Sequence, residues 1–223
     1  MAEAPETPGD GEGLRERRHR HWHDRLMMLC DGVFAIAITF LAAEVRAPDN
    51  WAGDWSSLWS ALAYQLDAYA MSFLVISVYW LAHRRFMTMI LAVDAPVTVL
   101  TLVLLGLVAL LPAATRLISS HGTNDVARLT YCGLVVSIGA VMSGIWGYAA
   151  LVAKIIHGDV GIRARWFFLL LMVATPPLFL ALTMLLPLHQ PGLNPAFVAV
   201  LFLVGWRMRT WMVRRIGGHP HII

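Results

Sequence analysis

Residues 25–45 read RLMMLCDGVFAIAITFLAAEV. Between Arg25 and Glu44 this run carries a single charge, Asp31, and every other position is apolar or small. About 20 such residues wound as a helix cross the roughly 30 Å hydrocarbon core of a bilayer, so the run reads as a transmembrane helix. Working outward, six segments qualify as spans: roughly 26–45, 58–82, 92–114, 129–153, 165–187 and 195–213. The expected fold is therefore all-α, a polytopic membrane protein with six transmembrane helices. Composition agrees, with 58% hydrophobic and 14% charged residues and a mean hydropathy of +0.65, against about 25% charged residues in a soluble domain. The organisation expected is a basic N-terminal segment over 1–24, a six-helix membrane domain over 25–213 and a tail over 214–223.

Charge placement sets the orientation. The formal net charge is +3, but the basic residues sit in short segments between apolar runs, which is a topology signal and not a nucleic-acid surface. Arg15, Arg17, Arg18, Arg20 and Arg25 precede the first span, Arg84 and Arg85 follow the second, and Lys154, Arg163 and Arg165 follow the fourth. Arg207, Arg209, Arg214 and Arg215 end the chain on the same side. The positive-inside rule makes that side cytoplasmic, with both termini on it, in a cell (inner) membrane. Trp51, Trp55 and Trp59 gather at the opposite boundary, where indole rings favour the interface. Residues 1–24 lack the short apolar core of a signal peptide, so the first span is expected to be retained. The stretch to about Gly13 is expected to be disordered.

Few ionisable residues fall inside the spans, and each costs about 2.5–3.5 kcal/mol even on the lenient insertion scale. Asp31 needs a partner or a water-filled crevice, and either a structural hydrogen-bond node or a gating or proton-sensing role answers that need. Asp67 lies mid-span in QLDAYAMSF. Asp94 opens the third helix, where a carboxylate suits the positive end of the helix dipole. His83, in YWLAHRRF, is expected to be a structural donor able to partner Arg25 or Asp31. Cys30 and Cys132 fall within spans without metal or disulfide spacing and read as small buried residues. Gly133, Gly139, Gly144 and Gly147 in the fourth span would admit a close neighbouring helix; Pro176 and Pro177 would kink the fifth. No HExxH, G-x-S-x-G or Walker loop occurs, so an enzyme is not expected, and no bound cofactor is implied. The TVGYG filter is absent as well.

From Arg25 the run R-L-M-M-L-C-D-G-V-F-A-I-A-I-T resembles the first-helix signature of the transmembrane protein 175 family of potassium channels. The pattern there is R-x-x-x-F-S-D followed by a small and aliphatic run ending near a threonine. Arg25, Asp31, Gly32, Ala35, Ile36 and Thr39 match in place, and SFLVISVYWLAHRRF, with Trp80 and His83, resembles the second helix. Leu29 and Cys30 stand where Phe and Ser are usual; cysteine for serine loses a strong hydroxyl donor and acceptor. The resemblance implies a homotetramer in the lipid bilayer whose first helix lines a pore for monovalent cations. It further implies that Arg25, Asp31, Trp80 and His83 form a structural network.

Helix geometry fits that implication. At about 100° per residue, Gly32, Ile36, Thr39 and Ala43 share one stripe while Asp31 lies about 140° from Ile36. The resemblance assigns the constriction to Ile36, where an apolar ring gates by dewetting; Thr39 would add oxygen contacts to a partly dehydrated cation. The plain alternative is that Ile36 packs in the core and Thr39 bonds back to its own helix. A narrow apolar neck should favour weakly hydrated potassium, the permeant species, modestly over sodium. The other function classes are a proton-coupled secondary transporter using Asp31 and Asp67, and a regulatory membrane protein whose RERRHRHWHDR segment lies on anionic lipid. No internal repeat of the inverted-repeat transporter kind is visible.

Overall fold

The computed structural model describes residues 8–47, 53–121, 124–156, 161–163, 165–170 and 173–174. The expected sixth span, most of the fifth with Pro176 and Pro177, Trp51 and the C-terminal tail lie outside the described residues. Within them the chain is helical: α1 Pro8–Ala43, α2 Trp55–Met89, α3 Ala95–Ala109, α4 Leu111–Ser120 and α5 Asp125–Gly147, the last running into a π turn over Tyr148–Val152. By length and composition His21–Ala43, Trp55–Met89, Ala95–Ser120 and Asp125–Val152 are able to cross a membrane. They coincide with the first four expected spans.

The helix starts follow from local chemistry. Asp54 caps α2, accepting from the Ser57 backbone N–H at 2.9 Å and the Ser57 hydroxyl at 2.6 Å. That bonding holds the Asp54 carboxyl below the usual carboxylate range. Asp94 caps α3 by accepting from Val97 N–H at 3.1 Å, as expected, and Asn124 caps α5 through Val126 N–H at 2.8 Å. Each supplies an oxygen to N–H groups that a helix end leaves without partners.

Two features depart from the expectation. The helix containing the first span begins at Pro8, well ahead of the span's expected start. Its 36 residues reach about 54 Å at 1.5 Å per residue, well beyond a bilayer core. The third span is broken at Leu110. Pro112 stands in the first turn of α4; its missing N–H and its ring, which crowds the carbonyl one turn back, prevent a continuous helix. Leu110 N–H instead tightens onto Leu107 O at 3.2 Å.

The core lies where α1 meets α2, α3 and α4, and where α5 packs on α3 and α4. Leu26, Cys30, Phe34, Ala37 and Leu41 form the buried stripe of α1, at helical spacings of four and three. Lipid tails offer apolar contacts as good as another helix does, so association rests on packing and interhelical hydrogen bonds. A buried polar node supplies such bonds: Thr115 Oγ1 donates to Ser72 Oγ at 2.8 Å, and Ser72 Oγ lies 3.0 Å from Tyr131 Oη. Tyr79 Oη donates to Val135 O at 2.9 Å. At the far end, Tyr148 Oη donates to Asp94 at 2.6 Å, and Leu91 N–H donates to Ile155 O at 2.8 Å beside the Ile90–Ile156 bridge.

The fourth-span glycines do not all behave as expected. Gly139 is buried, and a Cβ on Gly147 would meet Leu169 at 3.4 Å. Among the described residues a Cβ on Gly133 or Gly144 would meet nothing within 4 Å, both being exposed on α5. Cys30 and Cys132 are both buried, at 0% and 1% exposure, as expected.

Candidate functional site

The two sides of α1 differ in kind. One carries the buried stripe through Phe34; the other carries Gly32, Ile36, Thr39 and Ala43, all exposed. Ile36 is 54% exposed and Phe40 60%, and nothing lies within 4 Å of where a Gly32 Cβ would sit. Among the described residues Ile36 is therefore not part of the core. The other plain alternative holds for Thr39, whose hydroxyl donates to Ile36 O at 2.8 Å.

Asp31 sits on the edge of α1 turned towards α2. Trp80 Nε1 donates to Asp31 Oδ1 at 2.7 Å, and the Arg84 guanidinium carbon lies 5.5 Å from the centroid of the Trp80 ring. The indole thus stands between an anion bonded at its N–H and a cation on its face, both arrangements that its charge distribution favours. His83, one turn after Tyr79 on α2, is 2% exposed. Its Nε2 lies 4.0 Å from Cys30 Sγ, and its ring centroid is 6.1 Å from that of Phe34.

The expected network is assembled in part. Asp31 and Trp80 bond directly, and His83 meets α1 through Cys30, not through Asp31 or Arg25. Arg25 is exposed and makes no ion pair with Asp31 among the described residues, since six residues of helix put the two about 9 Å apart along the axis and on different faces. Asp67 is buried, at 8% exposure, on α2.

Sequence reasoning missed a contact at the other end of α1. Arg116 Nε of α4 lies 3.6 Å from Glu44 Oε2, just past the last turn of α1. Beside it, Arg46 N–H donates to Gln65 Oε1 at 2.9 Å and Tyr64 Oη to Ile118 O at 3.4 Å. Glu44 and Arg116 are distant in sequence, and each reads alone as an interfacial charge, so no local pattern announces the pair.

Residues 25–112 match the sequence profile of the family described as the endosomal/lysosomal potassium channel TMEM175. A potassium channel of Chamaesiphon minutus is 31% identical over 162 residues, covering 70% of this chain and 73% of that protein. A potassium channel of Streptomyces collinus is 33% identical over 129 residues, covering 55% of this chain and 62% of that relative's length. The fold is similar to the crystal structure of a homologue, from Chamaesiphon minutus, of the lysosomal potassium-selective channel TMEM175. The TM-score is 0.63 at 26% identity, over 85% of this chain and 98% of that one.

Proposed function

This chain belongs to the TMEM175 family, and from that membership we propose that it is a cation channel passing potassium passively, with modest preference over sodium. Identical chains assemble as a homotetramer in a cell membrane, both termini cytoplasmic, with the exposed face of α1 around the axis. The observation that carries the reading is that face: Gly32, Ile36, Thr39 and Ala43 are uncovered although the opposite stripe of the same helix is buried to near zero exposure at Cys30 and Leu41.

A ring of Ile36 side chains is the constriction, an apolar neck that empties of water when narrow and conducts when it widens. Thr39 follows it towards the outside. Its hydroxyl proton is committed to Ile36 O, which leaves the oxygen lone pairs free to face a cation that has shed part of its water. Asp31, Trp80 and Arg84 hold α1 against α2 and so fix which face is presented to the axis. The Streptomyces collinus and Chamaesiphon minutus relatives are each named a potassium channel, which supports the choice of ion.

The experiment is recording from the purified protein in planar bilayers under opposed potassium, sodium and pH gradients. A current whose reversal potential follows the potassium gradient supports the reading. No current, a reversal potential indifferent to potassium, or flux that requires a proton gradient would contradict it.

A further inference from the structure

Away from the Ile36 neck, Glu44 and Arg116 form an ion pair at the end of α1, with N and O 3.6 Å apart. We propose that this pair sets the electrostatic field at the outer mouth of the pore, Arg116 masking a ring of Glu44 carboxylates that would otherwise concentrate cations there. The proposal rests on the channel reading, because it requires α1 to line the axis.

Glu44 directly follows Ala43, the last stripe residue and the end of α1, so every copy of α1 brings a Glu44 to the same rim. The last carbonyls of α1 point the same way and add negative partial charge. Two features show that the charge is masked in this arrangement. Glu44 Oε2 is sealed from solvent yet has no hydrogen-bond partner among the described residues, and the guanidinium of Arg116 stands 3.6 Å from it. At that separation, without a hydrogen bond, Arg116 contributes a charge more than a geometric clamp.

Arg116 itself is mostly exposed, at 58% against 22% for Glu44. It projects from α4 beside Ala113 and Leu117, on the side away from the buried Thr115 and Ile118. The other charged pair near this end, Arg128 with Asp125 at 2.7 Å on α5, is internally neutral. Arg46 adds a positive charge to the rim, its backbone N–H tied to Gln65. With Arg116 in place the Glu44 charge is outweighed by Arg116 and Arg46 together; without Arg116 the rim becomes more negative by one charge per chain, with Arg46 left as the counter-charge.

The test uses the full chain in planar bilayers, comparing wild type, Arg116→Gln, Arg116→Lys and Glu44→Gln at low and high potassium chloride. For charges on the order of 10 Å from the axis, unmasking should raise current entering from the outer side roughly fivefold at about 0.01 M salt and leave it unchanged at about 1 M, where the Debye length is about 3 Å. Arg116→Lys keeps the charge and should behave as wild type, whereas Glu44→Gln should lower the low-salt current. Size-exclusion profiles identify any variant that fails to assemble, and the remaining variants still give the sign of the effect. Low-salt currents unchanged in both Arg116→Gln and Glu44→Gln, or changed equally at both salts, overturn the proposal while the channel reading stands. A silent wild type overturns both.

Discussion

The bond between Trp80 and Asp31 provides a quantitative test of how α1 is held. Trp80→Phe deletes the indole N–H but keeps a ring under Arg84, whose guanidinium lies 5.5 Å from the present ring centroid, and keeps most of the apolar area. Asp31→Ala deletes the acceptor. The 2.7 Å separation and the carboxylate make this a charge-assisted bond, for which about 1.5–3 kcal/mol is typical in soluble proteins. Interhelical hydrogen bonds in membranes average about 0.6 kcal/mol with a maximum near 1.7, because the unfolded chain in lipid also finds partners. A coupling of about 1–1.5 kcal/mol is therefore expected, near the upper part of the membrane range and roughly a tenfold change in the unfolding equilibrium. The assay is a double-mutant cycle on the detergent-solubilised protein, following helix loss by circular dichroism as denaturing detergent is titrated in. Additivity of the two substitutions within about 0.3 kcal/mol would refute the claim that this bond ties α1 to α2.

Three further outcomes are expected. Ile36→Asn, which keeps the neck wet, should raise conductance and bring the potassium and sodium permeabilities together; unchanged single-channel currents would move the constriction elsewhere. Cys30→Ser should place a stronger hydrogen-bonding group beside His83 Nε2, now 4.0 Å from the sulfur, and raise the unfolding free energy in detergent titration by at most about 1 kcal/mol; a lowered value would mean that the thiol's apolar packing matters more. Asp54→Ala should destabilise the start of α2 at neutral pH but not in strong acid. The folded-state pKa of Asp54 is depressed by its bonds to Ser57, so its contribution is present above the ordinary carboxylate pKa and disappears as pH falls through the lower folded value. Equal destabilisation at both pH values, read by thermal melting, would contradict that cause.

Much of this arrangement is legible in the chain itself. The runs around residues 25–45, 58–82 and 129–153 read as spans because hydrophobic length is a strong local signal, and helices carry them. Asp94 announced its own role as a cap. The stripe of Gly32, Ile36, Thr39 and Ala43 followed from helical period, and the structure leaves that face exposed. The break at Leu110 was less apparent, since the apolar run continues through it; Pro112 was the available signal and its effect depends on the helix around it. The π turn over Tyr148–Val152 has no sequence mark of its own. Its middle residue is tied to a later segment, Arg165 Nη1 donating to Ala150 O at 3.0 Å. His83 with Cys30, Ser72 with Thr115 and Tyr131, and Arg116 with Glu44 are pairings between helices, and hydrophobic periodicity gives the facing side of a helix without naming which residue stands opposite.

The most direct test of α1 as the conduit wall is single-particle structure determination of the full chain in lipid nanodiscs. The expected result is four chains about one axis, with Ile36 the residue of α1 nearest to that axis and to its symmetry copies, and Glu44 at the wider outer rim. A lone chain, or an assembly in which Ile36 faces lipid while another helix lines the centre, would contradict it.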